Sequence, residues 1–413
     1  MRLFGGIGDG QNIIGLDIGS SAIKLAQLAV TREGIALRKA GSTLTPPEAV
    51  KNGIIADPLG VSQAIVSLLE ALQVETSTAV GGVAGPAVVV RQVSLPMMSQ
   101  KQLQQSIQWE ARNYISFAVE DSILESQILS RPTGGDGSNM MEVMLVAAPR
   151  EMVEACAQTI ELAGLEPLAV EVQAFAAMRA ILGLGEISPE STLALVGIGA
   201  NYTEITITKG ENFILSRVIP IAGNSITEAI RTSLEISKEE AELIKETTLR
   251  TVLSEEERAD LDPAAQQASR AIESILDELV REIRRSLAYH DYQQKIPEAG
   301  AKGQGADRIV LSGGSAKLAG MERYLQAQLG IPTTNAAIFG PGGLGSGNEN
   351  LGFLKEHAPT LVVAVGLALR ELAPWRARSR RGGRSAQPAP NPASETNASP
   401  EVSAAGGPKG RLR

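Results

Sequence analysis

The chain has 413 residues, 43% hydrophobic and 20% charged, with a formal net charge of -8; that is enough ordinary globular sequence for two domains with their own cores, and the acidic balance argues against general nucleic-acid binding. No apolar run approaches the roughly 20 residues needed to cross a bilayer, and Met1 to Gln11 lacks the basic start and apolar core of a secretory signal, so the expected location is the cytoplasm. A single cysteine, Cys156, excludes an internal disulfide, and with only His290 and His357 there are too few soft ligands for a structural zinc site.

Strands and helices alternate, which predicts an α/β fold with a mixed sheet. Ile13 to Ile18 and Ala22 to Leu28 flank a glycine turn at hairpin spacing. A P-loop or dinucleotide fingerprint needs a helix directly after its glycines, and neither spacing is present. Val61, Ile65, Leu68, Leu69 and Leu72 form an amphipathic helical stripe, and Val88 to Val93 reads as a strand. Ser99 with Gln102 predicts a capping box, followed by Leu103, Ile107 and Ala111 on one helix face. With a strand at Val143 to Ala148 and a helix at Glu151 to Ala163, this part of the chain reads as a small inserted subdomain. Cys156 lies within that last helix and reads as a small buried apolar residue.

The second half repeats the opening theme. Leu193 to Ile198, Glu204 to Thr208 and Phe213 to Val218 predict strands, the last two around Lys209-Gly210, and Ile226 to Leu234 a helix. Ser237 and Glu240 form another capping box and launch the helix carrying Glu242 and Lys245. Ala268 to Tyr289 is predicted as the longest helix, Glu298 to Ala306 as a connector, Gly340 to Asn348 as a glycine-rich loop, and Pro359 to Leu372 as a final apolar helix. Beyond Trp375 the chain turns to Arg, Ser, Gly, Pro and Ala, a composition that cannot bury enough surface to offset its ordering entropy and predicts disorder.

Three glycine turns carry the chemistry: Asp17-Ile18-Gly19-Ser20-Ser21, Gly197-Ile198-Gly199-Ala200-Asn201 and Ser312-Gly313-Gly314-Ser315, each after a short apolar run. A polyphosphate needs close backbone approach, which glycine and small residues allow, and inward N–H groups supply a cradle. In the first turn Ser20 and Ser21 offer hydroxyl donors, Lys24 a balancing charge, and Asp17 a carboxylate for magnesium through water. Taken alone, that turn is equally a tight hairpin with no ligand.

Together the three resemble the motifs of the actin-like ATPase superfamily, which includes actin, chaperone ATPases, sugar kinases and FtsA. Gly15 to Ser21 is similar to its first phosphate motif, Val196 to Asn201 to its second, and Leu311 to Ser315 to its adenosine motif; Glu242 and Lys245 match helix positions set against ribose and adenine. The resemblance implies ATP and Mg2+ as cofactors. It implies a nucleotide site of Asp17, Gly19, Ser20, Ser21, Lys24, Gly199, Ala200, Asn201, Glu242, Lys245, Gly313, Gly314 and Ser315, with Asp17 serving the metal.

A narrower resemblance, over residues 11–374, is to the PilM family of type IV pilus assembly proteins. It is carried by Gln108-Trp109-Glu110-Ala111-Arg112-Asn113-Tyr114-Ile115-Ser116-Phe117, by Val172 to Met178, by Ile221-Ala222-Gly223 and by Val365-Gly366-Leu367-Ala368-Leu369. It implies an actin-like (ribonuclease H-like) two-domain α/β fold with nucleotide in the interdomain cleft. The implied organisation is a flexible start at 1–10, domain I at 11–190 with its inserted subdomain at 92–165, domain II at 191–345, a helix at 346–374 returning to domain I, and a disordered tail at 375–413.

The family resemblance further implies an adaptor that captures the cytoplasmic N-terminal peptide of PilN beside the insertion. Such an adaptor meets PilO indirectly and the pilus motor ATPases, and sits at the cytoplasmic face of the inner membrane through its partners; a homo-oligomer stays open. The alternative is an FtsA-like, membrane-associated ATP-dependent filament protein. Proteins of that type end in an amphipathic helix, whereas Arg376 to Arg413 is rich in Gly, Pro and Ser. A sugar-kinase reading lacks a motif for its carboxylate base. One departure bears on chemistry: Gly197 stands where the family usually has an aspartate, which weakens hydrolysis while sparing binding. Glu171 and Glu204 are the candidate replacements, and no catalytic residue is assigned.

Overall fold

The computed structural model describes residues 12–31, 34–131, 139–184, 190–293, 305–339, 344–346 and 351–382. The expected flexible start at 1–10, most of the 298–306 connector and of the 340–348 loop, and the tail from 383 onward lie outside the described residues.

The first half opens with β1 (Asn12–Ile18), β2 (Ala22–Thr31) and β3 (Gly34–Leu44), an antiparallel meander. The two-residue strands β4 (Val50–Lys51) and β5 (Ile54–Ile55) pair with each other. Helix α1 (Pro58–Ala71), started by the Asp57 cap and a proline in its first turn, leads to β6 (Thr78–Val83), which runs parallel to β1. Next come β7 (Val89–Pro96), α2 (Gln100–Ala111), β8 (Ser122–Ser130) and β9 (Met140–Pro149). They form a separate three-stranded sheet of order β7-β9-β8 with α2 on one face. The chain then returns through α3 (Arg150–Leu162) to β10 (Glu166–Val172), parallel to β6, and leaves along α4 (Gln173–Leu184).

The second half repeats that plan. β11 (Thr192–Ile198), β12 (Thr203–Lys209) and β13 (Asn212–Ile219) form an antiparallel meander. Helices α5 (Gly223–Leu234), α6 (Lys238–Thr247), α7 (Glu255–Ala259), α8 (Pro263–Ala271) and α9 (Glu273–Gln293) follow. β14 (Arg308–Ser312) then runs parallel to β11, α10 (Met321–Leu329) crosses, and β15 (Thr333–Asn335) runs parallel to β14. β16 (Gly345–Ser346) crosses back to pair with β3, and α11 (Leu351–Gly382) ends the described chain. Apart from β16, the two main sheets have one topology: β10-β6-β1-β2-β3 in the first corresponds strand for strand to β15-β14-β11-β12-β13 in the second.

Helices α4 and α11 lie between these sheets in one shared core. Ala176, Ala180 and Leu184 of α4 and Leu361, Val362, Val365 and Leu369 of α11 pack with Ile13 and Leu28 of the first sheet and Leu193, Leu195 and Val310 of the second. Burying each of these leucine, isoleucine and valine side chains is worth about 1.5–3 kcal/mol, and each alanine methyl less. Glycine sets the approach: a Cβ on Gly15 would stand 1.9 Å from the Ala364 carbonyl oxygen, and one on Gly366 1.9 Å from that of Ala176. The helices therefore meet β1 and each other backbone to backbone.

Three expectations change. The helix predicted as α3 belongs to the first main sheet and not to the insertion: Met152, Cys156 and Ile160 pack among Leu16, Ile65 and Val83, whereas the insertion's own core is Val93, Leu103, Ile107, Met141, Val143 and Leu145. The helix predicted from Ala268 to Tyr289 breaks at Ile272, and the longest helix is instead α11, with 32 residues. That helix begins at Leu351 and continues through Gly382, past the expected end at 374 and into the segment predicted as tail.

Candidate functional site

The first turn hangs between β1 and β2, which pair in unbroken register down to Ile18 and Ile23. Gly19 N–H donates to Ala22 O at 3.1 Å, Thr45 Oγ1 donates to Gly19 O at 2.6 Å, and Thr45 N–H holds Ser21 O at 3.0 Å. These bonds fix Gly19, Ser20 and Ser21 as a rigid turn at the end of the sheet. Asp17, the second-to-last residue of β1, is buried, with Lys24 Nζ 3.3 Å from Oδ2. Its Oδ1 accepts from Gln173 Nε2 at 3.1 Å, which joins the turn to the first residue of α4.

The remaining predicted residues form a second cluster. Gly199 N–H donates to Tyr202 O at 3.0 Å, closing the β11–β12 turn around Ala200 and Asn201. Two bonds from the start of α5 brace it: Gly223 N–H to Gly199 O at 3.0 Å and Asn224 N–H to Ala200 O at 2.8 Å. Asn224 Nδ2 also donates to Asn201 Oδ1 at 2.6 Å. From the end of β14, Ser315 Oγ donates to Gly199 O at 3.3 Å, so the second and third turns touch. Gly313 lies at φ 88° and ψ 172°, a conformation open essentially to glycine alone, with Gly314 beside it in open space.

Helix α6, begun by the predicted Ser237–Glu240 capping box, adds the polar wall. Lys245 Nζ donates to Glu242 Oε1 at 2.6 Å and to Thr227 Oγ1 at 2.9 Å, and Thr227 Oγ1 donates to Glu242 Oε2 at 2.6 Å. A Cβ on Gly223 would come 2.5 Å from Ser315 Oγ and 3.5 Å from Lys245 Nζ. Glu242, Lys245, Gly223 and Ser315 thus converge on one spot.

Of the thirteen predicted site residues, those of the second turn, third turn and α6 form this single cluster, while those of the first turn stand apart and are tied to α4. Gln173, Asn224 and Thr227 were missed. Each is an ordinary polar residue in the first turns of a helix, and the available signal was position: Gln173 follows β10 directly, and Asn224 and Thr227 follow Gly223 at the helix start.

The two candidate replacement acids are both engaged by other partners. Glu171 is held by Arg179, whose two terminal nitrogens lie 2.7 and 2.5 Å from its oxygens while Arg179 also donates to Gly366 O at 2.8 Å; this is a brace between β10, α4 and α11. Glu204 pairs with Gly197 across the strands, so the two share a face, but its carboxyl accepts from Ser216 Oγ at 3.1 Å on β13, the opposite neighbour. Burial pushes its carboxyl up from 4.5 to about 7, only partly offset by the Ser216 hydrogen bond. Cys156, its thiol pushed up to about 12 by burial, is inert packing.

A second concavity lies on the insertion. A groove of about 560 Å³ runs between α2 and the edge strand β8, lined by Ile107, Val119, Leu124, Glu120 and Glu125 and reaching Arg150 at the start of α3. Nearby, Trp109 is 70% exposed, with the Arg112 guanidinium 4.6 Å from its ring centre.

Two main sheets of one topology, clasping a pair of central helices and each bearing a glycine turn after its first strand, define an actin-like fold. The chain belongs to the family described as type IV pilus assembly protein PilM, which matches residues 15–372. A solved PilM-PilN type IV pilus biogenesis complex aligns with a TM-score of 0.72 at 28% identity, over 87% of this chain and 98% of that one. The cell division protein FtsA of Streptococcus pneumoniae is 24% identical over 354 residues, covering 77% of this chain and 73% of its own. The ethanolamine utilization protein EutJ of Carboxydothermus hydrogenoformans, at 18% identity and a TM-score of 0.51 over 87% of this chain and 89% of that one, shares the fold. Among the described residues no helix is long and apolar enough to cross a membrane.

The magnesium ion implied at Asp17 finds a poor donor set. Magnesium is normally held by one or two carboxylates together with substrate phosphates. Here the one carboxylate of the first turn is already paired with Lys24 and Gln173. Gly197 contributes no side chain, and the described residues contain no cluster of three or more His, Cys, Asp or Glu side chains.

Proposed function

We propose that this chain is an ATP-binding adaptor of the type IV pilus assembly platform, holding the cytoplasmic N-terminal peptide of PilN in the groove of its inserted subdomain. The observation that carries the reading is the pairing of two sites in one fold. A cluster of glycine turns, walled by Lys245, Glu242 and Ser315, suits a nucleotide, and a separate groove is bordered by the free edge of β8. An extended peptide can bind such an edge through main-chain hydrogen bonds, with Ile107, Val119 and Leu124 receiving its apolar side chains and Glu120 and Glu125 its basic ones. The resemblance to a PilM-PilN complex supports the partner.

In this reading the adaptor lies at the cytoplasmic face of the inner membrane, PilO is reached through PilN, and the motor ATPases are further partners. Gly197 leaves ATP as a ligand that sets shape, with little turnover.

The test is fluorescence anisotropy of a labelled peptide from the N-terminus of the same organism's PilN, titrated with the whole chain with and without ATP. Saturable binding that is lost in Leu124→Arg supports the adaptor. Absence of binding in both states, with ATP-dependent pelleting of the protein on ultracentrifugation, overturns it in favour of the FtsA-like filament.

A further inference from the structure

We infer that this chain grips the polyphosphate of its nucleotide through Lys24, and that its affinity does not depend on a divalent cation. The inference rests on the nucleotide reading above and concerns how that site neutralises charge.

A nucleoside triphosphate brings several negative charges into a cleft, and something must offset them. There are two ways to do so: a metal ion held by acidic side chains, or a fixed cation. In this chain the acid is missing from one half and engaged by other groups on the other. On the second half, Gly197 lies on the face of β11 that carries Leu193 and Leu195 into the shared core between the halves. A side chain there would point toward the first half, and a Cβ would stand 3.3 Å from Ser312 Oγ; where a carboxylate would face the metal, the side chain is a hydrogen atom. On the first half, Asp17 has Lys24 at one oxygen and Gln173 at the other.

The neighbouring acids are committed elsewhere: Glu171 to Arg179, Glu242 to Lys245 and Thr227, and Glu204 to Ser216. The fixed cation is well placed. A Cβ on Gly19 would come 3.1 Å from Lys24 Nζ, so the ammonium lies against the turn where the phosphates would be cradled. Its link to Asp17 keeps it there, and as a compact point charge with three donors it can hold Asp17 and a phosphate oxygen together.

The experiment is titration of the whole chain with the fluorescent nucleotide mant-ATP, in excess magnesium chloride and in excess EDTA, for the natural sequence, Gly197→Asp and Lys24→Ala. The natural sequence should show dissociation constants within about fivefold of each other in the two buffers, and Gly197→Asp should bind at least about tenfold better with magnesium than without. Lys24→Ala should lose affinity equally in both. A natural-sequence affinity that falls more than about fivefold in EDTA overturns the inference while leaving the nucleotide site standing. No mant-ATP binding in either buffer overturns the nucleotide reading and this inference with it. Matching melting temperatures for the three proteins keep misfolding out of the comparison.

Discussion

The hydroxyl of Tyr202 donates to Asn52 Oδ1 at 2.8 Å, joining the β11–β12 turn of one half to the β4–β5 turn of the other. Asn52 adopts a left-handed backbone at φ 52° to present that oxygen, a conformation asparagine tolerates better than most residues. The contact bridges the same two halves that would enclose a nucleotide. Tyr202→Phe removes one hydrogen bond, worth about 0.5–1.5 kcal/mol, and is expected to speed nucleotide release about two- to tenfold with little change in capture. Stopped-flow release of mant-ATP measures it; an unchanged off-rate would mean the contact does not hold the halves together.

Gly313 and Gly314 are adjacent yet should respond differently to alanine. At Gly313 a Cβ would lie 2.3 Å from Ile198 O and 2.7 Å from its carbonyl carbon, on a backbone few other residues adopt. Gly313→Ala is expected to cost the fold about 2–5 kcal/mol, so it tests stability before it tests binding. Around Gly314 there is nothing within 4 Å. Gly314→Ala should leave the urea midpoint nearly unchanged and weaken nucleotide binding by crowding its approach. Equal affinity in that variant would remove Gly314 from the site.

Phe213 on β13 links the insertion to the second half. Its ring centre lies 5.4 Å from that of Phe175 on α4, it packs with Val90 and Met144 of the insertion, and its carbonyl accepts from Gln92 Nε2 at 3.3 Å. A change in the separation of the two halves therefore bears on the sheet that carries the groove. Phe213→Ala is expected to cost about 3–5 kcal/mol. Below its melting temperature it should bind the PilN peptide with the same affinity whether or not nucleotide is present. Retained nucleotide sensitivity in this variant would show that coupling runs elsewhere.

Glu204 gives a pH signature. With its folded carboxyl near 7 against 4.5 for the free group, the native state keeps a proton that the unfolded chain has already lost between those values. The native state binds more protons, so stability falls as pH rises from about 4.5 to about 7 and levels off above, by at most about 3 kcal/mol. Glu204→Gln should remove that slope and be the more stable protein at pH 8. Thermal melts of both proteins from pH 5 to 8 test this, and parallel curves would mean that Glu204 is charged throughout.

What the sequence revealed followed the reach of the signal. The capping boxes at Ser99 and Ser237 and the hairpin around Gly19 are local chemistry, and all appear in the structure where the residues place them. The apolar stripe of α3 announced that the helix is buried but not against what; Cys156 and Ile160 would suit the insertion's core as well as the sheet they actually cover. The break at Ile272 has no glycine or proline to mark it. It appears where the Ile272 N–H reaches both Ala268 O and Arg270 O and the chain turns to bring Leu276 and Leu279 onto the second sheet. In the site, glycines at strand ends were readable because few residues can occupy such turns. Gln173 was not, since its role depends on a partner, Asp17, that lies 156 positions earlier.

The placement of α11 also carries a consequence for the order of synthesis. Gly15 on β1 touches the backbone of Ala364, roughly 350 residues later, an extreme in sequence separation for a core contact. On a ribosome adding about 5–20 residues per second, the first strands emerge roughly 20–70 s before the helix that covers them. For that interval Ile13 and Leu28 present an unfinished apolar face, the kind of surface that makes a nascent chain prone to aggregate until α11 covers it.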